Sequence, residues 1–88
     1  MAYHIEIKQS AVRELAKIPK AQRRLVSRKI DALANDPHPK GLRKLKGRQE
    51  EAYRIRAGDY RIIYQVQEKK LIVFVIRIGH RKEVYRKP

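Results

Sequence analysis

The sequence predicts an α+β fold in which two helices pack on one face of a mostly antiparallel, four-stranded sheet. Residues 3–8 alternate between apolar and polar side chains, as a half-buried strand does. Residues 11–34 carry apolar side chains at helical spacing on both sides of Pro19. Three segments rich in β-branched and aromatic residues then follow, so the predicted element order is β-α-α-β-β-β.

The two predicted helices form a hairpin that covers the sheet. Ser10 offers a side-chain oxygen as the N-cap of the first helix, and Pro19 ends this helix or opens the next one. The second helix is predicted over residues 20–34, and its outer face is basic. The apolar stripe that should face the sheet consists of Ala11, Leu15, Ile18, Ala21, Leu25, Val26, Ile30, Leu33 and Ala34.

A loop and a basic segment separate the helices from the remaining strands. Residues 35–39 contain two prolines and indicate a loop. Residues 40–48 form a basic segment, with Leu42 and Leu45 as its only large apolar side chains, and no strand is assigned there. The last strand signal is nearly continuously apolar, which indicates a central strand covered on both faces. The predicted strands are residues 52–57, 60–66 and 71–78.

The composition indicates a small protein of the cytoplasm. Its 88 residues suffice for one domain, residues 1–88, with a modest core. It contains no cysteine, and no group of Asp, Glu and His has metal-ligand spacing, so we expect neither a metal nor a cofactor. The longest apolar stretch is too short to span a bilayer, and the first residues lack a signal-peptide run, so we expect no membrane partner.

The charge indicates a polyanionic partner. The chain has 23 lysines and arginines against 9 acidic residues, a formal net charge of +14. Such an excess makes the compact chain repel itself, and binding of RNA, DNA or an acidic protein relieves this repulsion. Charge alone favours none of these three partners over the others.

A predicted β-hairpin gathers three arginines on one face. A Gly-Asp pair at positions 58–59 separates two strand signals, and a two-residue loop with glycine first is typical of a type II′ turn. In the resulting register Arg56 faces Arg61, and Arg54 faces Ile63. The opposite face of the hairpin should meet the helices and carries Tyr53, Ile55, Ala57, Tyr60, Ile62 and Tyr64.

This arginine cluster is unfavourable without a ligand. Like charges directly opposite each other destabilise a strand pair, and Asp59 cannot neutralise them because it lies in the turn. A bound anion converts the repulsion into attraction, and a guanidinium group matches phosphate oxygens. The alternative is a solvated outer face neutralised by water and salt, but the crowding favours an anion site.

The end of the chain supplies further candidates. His80, Arg81 and Tyr85 follow the last predicted strand. If residues 80–85 form a helical turn, Arg81 and Tyr85 share a face and can lie beside the hairpin arginines. Each residue taken singly is expected to be an ordinary surface position, but their place just past a core strand favours a shared role.

Three segments together resemble one known family. They are YRIRAGDYRIIY at residues 53–64, IRIGHRKEVY at residues 76–85 and KLKG at residues 44–47. In this order, with the β-α-α-β-β-β pattern over the whole chain, they resemble the RelE/ParE toxin superfamily and within it the RelE-like mRNA interferase branch. The resemblance implies a type II toxin–antitoxin toxin that cleaves translated mRNA on the ribosome by attack of a 2′-hydroxyl on the adjacent phosphodiester.

The resemblance also implies residue roles. Arg61 and Arg81 would stabilise the charge of the transition state, and Tyr85 would act as the base or stack on a nucleobase. Arginine is effectively always protonated, so Arg81 is a reluctant proton donor, and the chemistry of histidine makes His80 a secondary candidate for the acid. The implied catalytic set is Arg54, Arg56, Arg61, Arg81 and Tyr85, where Arg54 and Arg56 replace lysines of the archetype. RNA contacts are expected from Arg54, Arg56, Lys44, Lys46, Arg48 and His80.

The implied partners are mRNA in the ribosomal A site and a cognate acidic RelB-like antitoxin, with operator DNA reached through the antitoxin. Two alternatives remain at this point. One is a ParE-like inhibitor of DNA gyrase that is not an enzyme, and the other is a basic nucleic-acid-binding module. The resemblance favours the nuclease branch, because gyrase-inhibiting members generally lack the full catalytic set.

Overall fold

The computed structural model describes residues 2–45 and 51–83, in which a five-stranded sheet carries two helices. The predicted α+β class is confirmed. The strands are β1 (His4–Ile7), β2 (Arg43–Leu45), β3 (Ala52–Ala57), β4 (Tyr60–Gln67) and β5 (Ile72–His80), and the helices are α1 (Gln9–Ala16) and α2 (Lys20–Ala32).

The strand order in the sheet is β1-β5-β4-β3-β2. β1 runs parallel to β5, and the other neighbouring strands are antiparallel. The prediction of four strands is wrong, because the basic segment contributes β2, which pairs along the edge of β3. Three residues are too few to show an alternating pattern, and Arg-Lys-Leu has little strand preference, so pairing with β3 accounts for this strand.

One core lies between the helices and the sheet. Val26, Ile30 and Leu33 of α2 are buried in it as predicted, whereas Ala21 and Leu25 are exposed. Successive helical residues are about 100° apart around the axis, so Leu25 cannot face the core together with Val26. The buried core residues are Ala11, Ile18, Val26, Ile30, Leu33, Ile55, Ala57, Ile62, Tyr64, Val73, Val75 and Ile78.

Both helices begin without a side-chain cap. α1 begins at Gln9, directly after Lys8, so Ser10 lies inside the first turn and the predicted N-cap is wrong. The N–H of Lys8 donates to the carbonyl of Val75 at 2.8 Å. Pro19 precedes α2, and its carbonyl accepts from the N–H of Arg23 at 2.9 Å. Neither helix in the described ranges is long and apolar enough to cross a membrane.

β5 is an interior strand, but the prediction that both of its faces are covered is wrong. Its buried residues Val73, Val75 and Ile78 all belong to the helix-facing core, and Phe74 is half-buried. The register against β4 shifts between Ile63 and Tyr64, so that β5 contains one extra residue there. This bulge changes the faces of the following residues.

α1 covers the free edge of β5 beyond β1. Glu14 accepts a hydrogen bond from the N–H of Ile78 at 3.0 Å through Oε1, and its Oε2 lies 3.8 Å from Nε of Arg77. A strand edge without a neighbouring strand presents backbone donors that need partners. Glu14 therefore replaces a strand at this position.

Candidate functional site

The hairpin of β3 and β4 has the predicted turn and register. Arg56 faces Arg61, Arg54 faces Ile63, and Gly58 has a φ of +61°. Asp59 is not among the residues with positive φ, so only the first turn position has the left-handed conformation that a type II′ turn requires. The predicted apolar face of this hairpin does meet the helices, since Ile55, Ala57, Ile62 and Tyr64 belong to the core.

The opposite side of the sheet carries a group of arginines, which we call the arginine face: Arg43, Arg54, Arg56 and Arg61. Arg43 was not predicted, because it belongs to β2, where it lies directly opposite Arg54. The sequence around Arg43 is basic throughout and does not distinguish it from its neighbours. Only the pairing of β2 with β3 assigns Arg43 to this face. A small apolar cluster of Ala52 and Ile63, with Leu45 and Ile76 packed against it, lies on the same side.

Arg56 and Arg61 have different environments although they face each other. Arg56 is exposed, whereas Arg61 is only 9% exposed. Nη1 of Arg61 donates to the carbonyls of Gly58 at 3.1 Å and Tyr60 at 3.0 Å. Within residues 2–45 and 51–83, no acidic side chain forms an ion pair with either arginine. The turn therefore holds one guanidinium group in place, and its neighbour is available to a ligand.

The end of β5 brings Arg81 to the same turn. Gly79 faces Arg61 across β4 and β5, and the N–H of Arg81 donates to the carbonyl of Asp59 at 2.8 Å. Residues 81–83 form a turn, in which the N–H of Glu83 donates to the carbonyl of His80. Tyr85, Lys46 and Arg48, three of the predicted site residues, lie outside the described residues.

Lys44 and His80 do not join the arginine face. Lys44 faces Tyr53, and its Nζ lies 2.8 Å from Oε1 of Glu51. Hydrogen bonds from Lys44 and Tyr53 hold the pKa of Glu51 below its usual value. His80 faces Tyr60, and the two rings meet edge to face at 5.7 Å. Both therefore lie on the other side of the sheet from the arginine face, because neighbouring strand residues point to opposite sides, and their RNA contacts stay a prediction.

No metal site is evident where the structure describes the chain. There, no group of three or more His, Cys, Asp or Glu side chains is arranged to hold a metal ion. The site is instead built from guanidinium groups, which bind phosphate by charge and by planar hydrogen bonding.

Two helices packed on one face of a mixed five-stranded sheet are an architecture that this chain shares with RelE toxins of known structure. Residues 5–85 match the family model described as "ParE toxin of type II toxin-antitoxin system, parDE". The chain belongs to this family and thus to the RelE/ParE superfamily.

Named relatives and a solved structure support the same family assignment. The mRNA interferase toxin RelE of Escherichia coli (strain K12) is 34% identical over 97% of this chain and 92% of its own length. Toxin RelE of Mycobacterium tuberculosis is 33% identical over 96% of this chain and 87% of its own length. In the crystal structure of the archaeal RelE–RelB complex from Pyrococcus horikoshii OT3, the similar chain has a TM-score of 0.81 and 32% identity, covering 94% of this chain and 99% of that one.

Proposed function

We propose that this toxin is an endoribonuclease that cleaves translated mRNA on the ribosome and thereby inhibits translation. One observation carries the proposal: Arg56 and Arg61 face each other on the side of the sheet opposite the helices. The comparison gives further support, because a relative that covers nearly the whole chain is named an mRNA interferase toxin.

The proposed reaction is an internal transesterification of RNA. The 2′-oxygen of one nucleotide bonds to the adjacent phosphorus, and the bond from this phosphorus to the 5′-oxygen of the next nucleotide breaks. A base takes the proton of the 2′-hydroxyl, and an acid gives a proton to the leaving 5′-oxygen. The products are a 2′,3′-cyclic phosphate and a 5′-hydroxyl, and cationic groups stabilise the charge on the phosphoryl oxygens of the transition state.

The geometry supports a division of roles among the arginines. Arg61 is preorganised by the turn carbonyls, and its remaining N–H groups can stabilise the transition state. The backbone N–H of Arg81 is hydrogen-bonded to the same turn, and we assign Arg81 the same role. Exposed Arg56, together with Arg54, is assigned to the flanking RNA backbone and to support of the reacting phosphate.

The base of the proposed reaction is assigned to the end of the chain. We propose Tyr85 as the base, the role that the family resemblance implies, and a guanidinium group placed beside a phenol would favour its phenolate form. If it is not the base, Tyr85 stacks on a nucleobase and positions the RNA. His80 packs against Tyr60 on the helix side of the sheet, so we assign it no part in proton transfer.

The proposed activity depends on the ribosome. The arginine face is a surface of a sheet, and such a surface does not by itself hold a flexible RNA strand with the 2′-oxygen in line with the leaving group. A ribosome that fixes the mRNA in the A site supplies this alignment, which can be a large part of the catalytic effect. The free protein is therefore expected to cleave RNA slowly.

We also propose a RelB-like antitoxin as the partner of this chain. The relative from Pyrococcus horikoshii is in complex with RelB, and the net charge of +14 suits an acidic polypeptide. An antitoxin that covers the arginine face blocks RNA binding by competition for the same guanidinium groups. Operator DNA would then be bound through the antitoxin.

The direct experiment is primer extension on mRNA translated by purified ribosomes. We expect cuts in the A-site codon that need ribosomes and leave a cyclic phosphate. A message with a single 2′-deoxynucleotide 5′ to the cut should remain intact, because it lacks the attacking oxygen. Cleavage of that message at the normal rate would contradict the proposed chemistry.

A gyrase assay tests the main alternative. The matching family model is named for ParE toxins, which favours an inhibitor of DNA gyrase as the second candidate. Supercoiling by purified gyrase is expected to continue at its normal rate when the toxin is added. Inhibited supercoiling together with intact mRNA would support the gyrase inhibitor and overturn the nuclease.

A further inference from the structure

Beside the arginine face lies a cleft of about 430 Å³, and apart from Arg56 its lining residues have no role in the proposed reaction. It lies between the end of α2, the loop that follows this helix and the edge of β3. Arg43 and Arg56 line the cleft and also belong to the arginine face, so the two surfaces are continuous. The volume falls in the range of roughly 300–1,000 Å³ that small-ligand sites have.

The short length of β2 creates this cleft. β2 pairs with β3 only from Ala52 to Arg54, so Ile55 and Arg56 lie on the edge of β3 beyond the end of β2. The chain enters β2 through Gly41, which has a φ of +85° and would place a Cβ with no atom within 4 Å. A gap therefore remains between this loop and the edge of β3.

The lining combines three kinds of chemistry. Ala32 and Pro39 supply accessible apolar walls, the core residues Leu33 and Ile55 reach the lining behind them, and one carboxylate, Asp36, lies among these residues. Oδ1 of Asp36 accepts a hydrogen bond from the N–H of His38 at 3.3 Å, which holds the carboxylate in place. The cations on the lining are Lys29, Lys40, Arg43 and Arg56.

We propose that this cleft binds one ribonucleotide, with the base between the apolar walls and the phosphate at Arg43 and Arg56. A base is flat and largely apolar on its faces but polar on its edge, which matches such a lining. Amino hydrogens on the base edge can donate to Asp36, and the partial negative charge at the C-terminal end of α2 favours them.

The same argument predicts a base preference. Adenine, guanine and cytosine carry an amino group that can donate to Asp36. Uracil has only a ring N–H, and this N–H lies between two carbonyl oxygens. A carboxylate repels these oxygens. UMP is therefore expected to bind at least five-fold more weakly than AMP. We assign this nucleotide to the substrate RNA, next to the cleaved phosphate, and this assignment rests on the proposed function. The binding of a free nucleotide to the cleft does not depend on that function.

The experiment is an NMR titration of the free, full-length protein with AMP, UMP and inorganic phosphate. AMP should shift the amide signals of Ala32, Leu33 and Gly41, and phosphate should leave the signals of Ala32 and Leu33 unchanged. The variant Arg43→Ala should weaken AMP binding at least five-fold. Arg24→Ala removes the same charge from an exposed position on α2 outside the cleft lining and should change the affinity less than two-fold.

Three outcomes would overturn the proposal. They are equal weakening by both variants, AMP shifts that miss Ala32 and Leu33, and equal affinities for AMP and UMP. The titration contains no ribosome, so failure of mRNA cleavage with normal AMP binding would overturn only the proposed function. Intact cleavage without AMP binding would overturn only this site.

Discussion

At the scale of single residues, Tyr64 connects the core to the loop after α2. Its side chain is fully buried, and its hydroxyl donates to the carbonyl of Pro37 at 2.8 Å. Burial raises the pKa of Tyr64 above its ordinary value near 10. The phenol therefore stays protonated in the folded protein under conditions that ionise it in the unfolded chain.

Tyr64→Phe should lower the free energy of unfolding by about 1–2 kcal/mol at neutral pH, because a buried carbonyl loses its donor. Urea denaturation measures this change. Tyr3→Phe is the matched control, since the hydroxyl of Tyr3 bonds the exposed carboxylate of Glu68 and should contribute much less. Equal losses in the two variants would contradict the role of burial.

The same residue predicts how stability depends on alkaline pH. Above pH about 10 the unfolded chain releases the proton of this phenol and the folded chain retains it, so the unfolded state binds fewer protons. The free energy of unfolding then falls with rising pH, by about 1.4 kcal/mol per pH unit for one such group. We expect a shallower decline in Tyr64→Phe, and an unchanged slope would contradict this account.

At the scale of elements, the hairpin of β3 and β4 could be predicted because its signals are local. The Gly-Asp turn fixes its length, and the alternation of apolar residues fixes its faces. β2 could not be predicted, because three residues gain their strand conformation only from pairing with β3. The side of His80 depends on the bulge in β5, which shifts the register by one residue and leaves no sequence signal of its own.

Gly58→Ala should destabilise the hairpin. Gly58 has a φ of +61°, and a Cβ there would lie 3.2 Å from Cδ2 of Leu25, so alanine adds both backbone strain and a close contact. We expect a loss of about 1–2 kcal/mol in the free energy of unfolding. Gly58→Asn is the matched variant, because asparagine also adds a Cβ but tolerates this backbone conformation better. A loss in asparagine as large as in alanine would assign the effect to Leu25.

At the scale of the whole molecule, one face of the sheet forms the core and the other face carries the arginines. The helices cover the first face and form the main core with it, and the arginines of the other face lie around a small apolar cluster. The net charge of +14 predicts a polyanionic partner without indicating where it binds. The arginine set could be predicted in part, because Arg54, Arg56 and Arg61 follow from the hairpin register whereas Arg43 depends on β2.

Binding of single-stranded RNA should therefore depend steeply on salt. If the four arginines of the arginine face contact phosphates, the slope of log affinity against log salt concentration should be about −3. Arg56→Ala should reduce the size of this slope by about 0.7. Fluorescence anisotropy measures both values when the salt concentration is varied from about 50 to about 200 mM. A slope near zero would contradict phosphate binding by this face.

The most direct test of the central claim compares two single substitutions that remove the same charge. Arg56→Ala alters the arginine face, and Arg28→Ala alters an exposed position of α2. The measurement is the single-turnover rate of mRNA cleavage on purified ribosomes. The account predicts a rate at least 100-fold lower for Arg56→Ala, on the order of 3 kcal/mol of lost transition-state stabilisation, and an almost unchanged rate for Arg28→Ala. Equal rates in the two variants would contradict it.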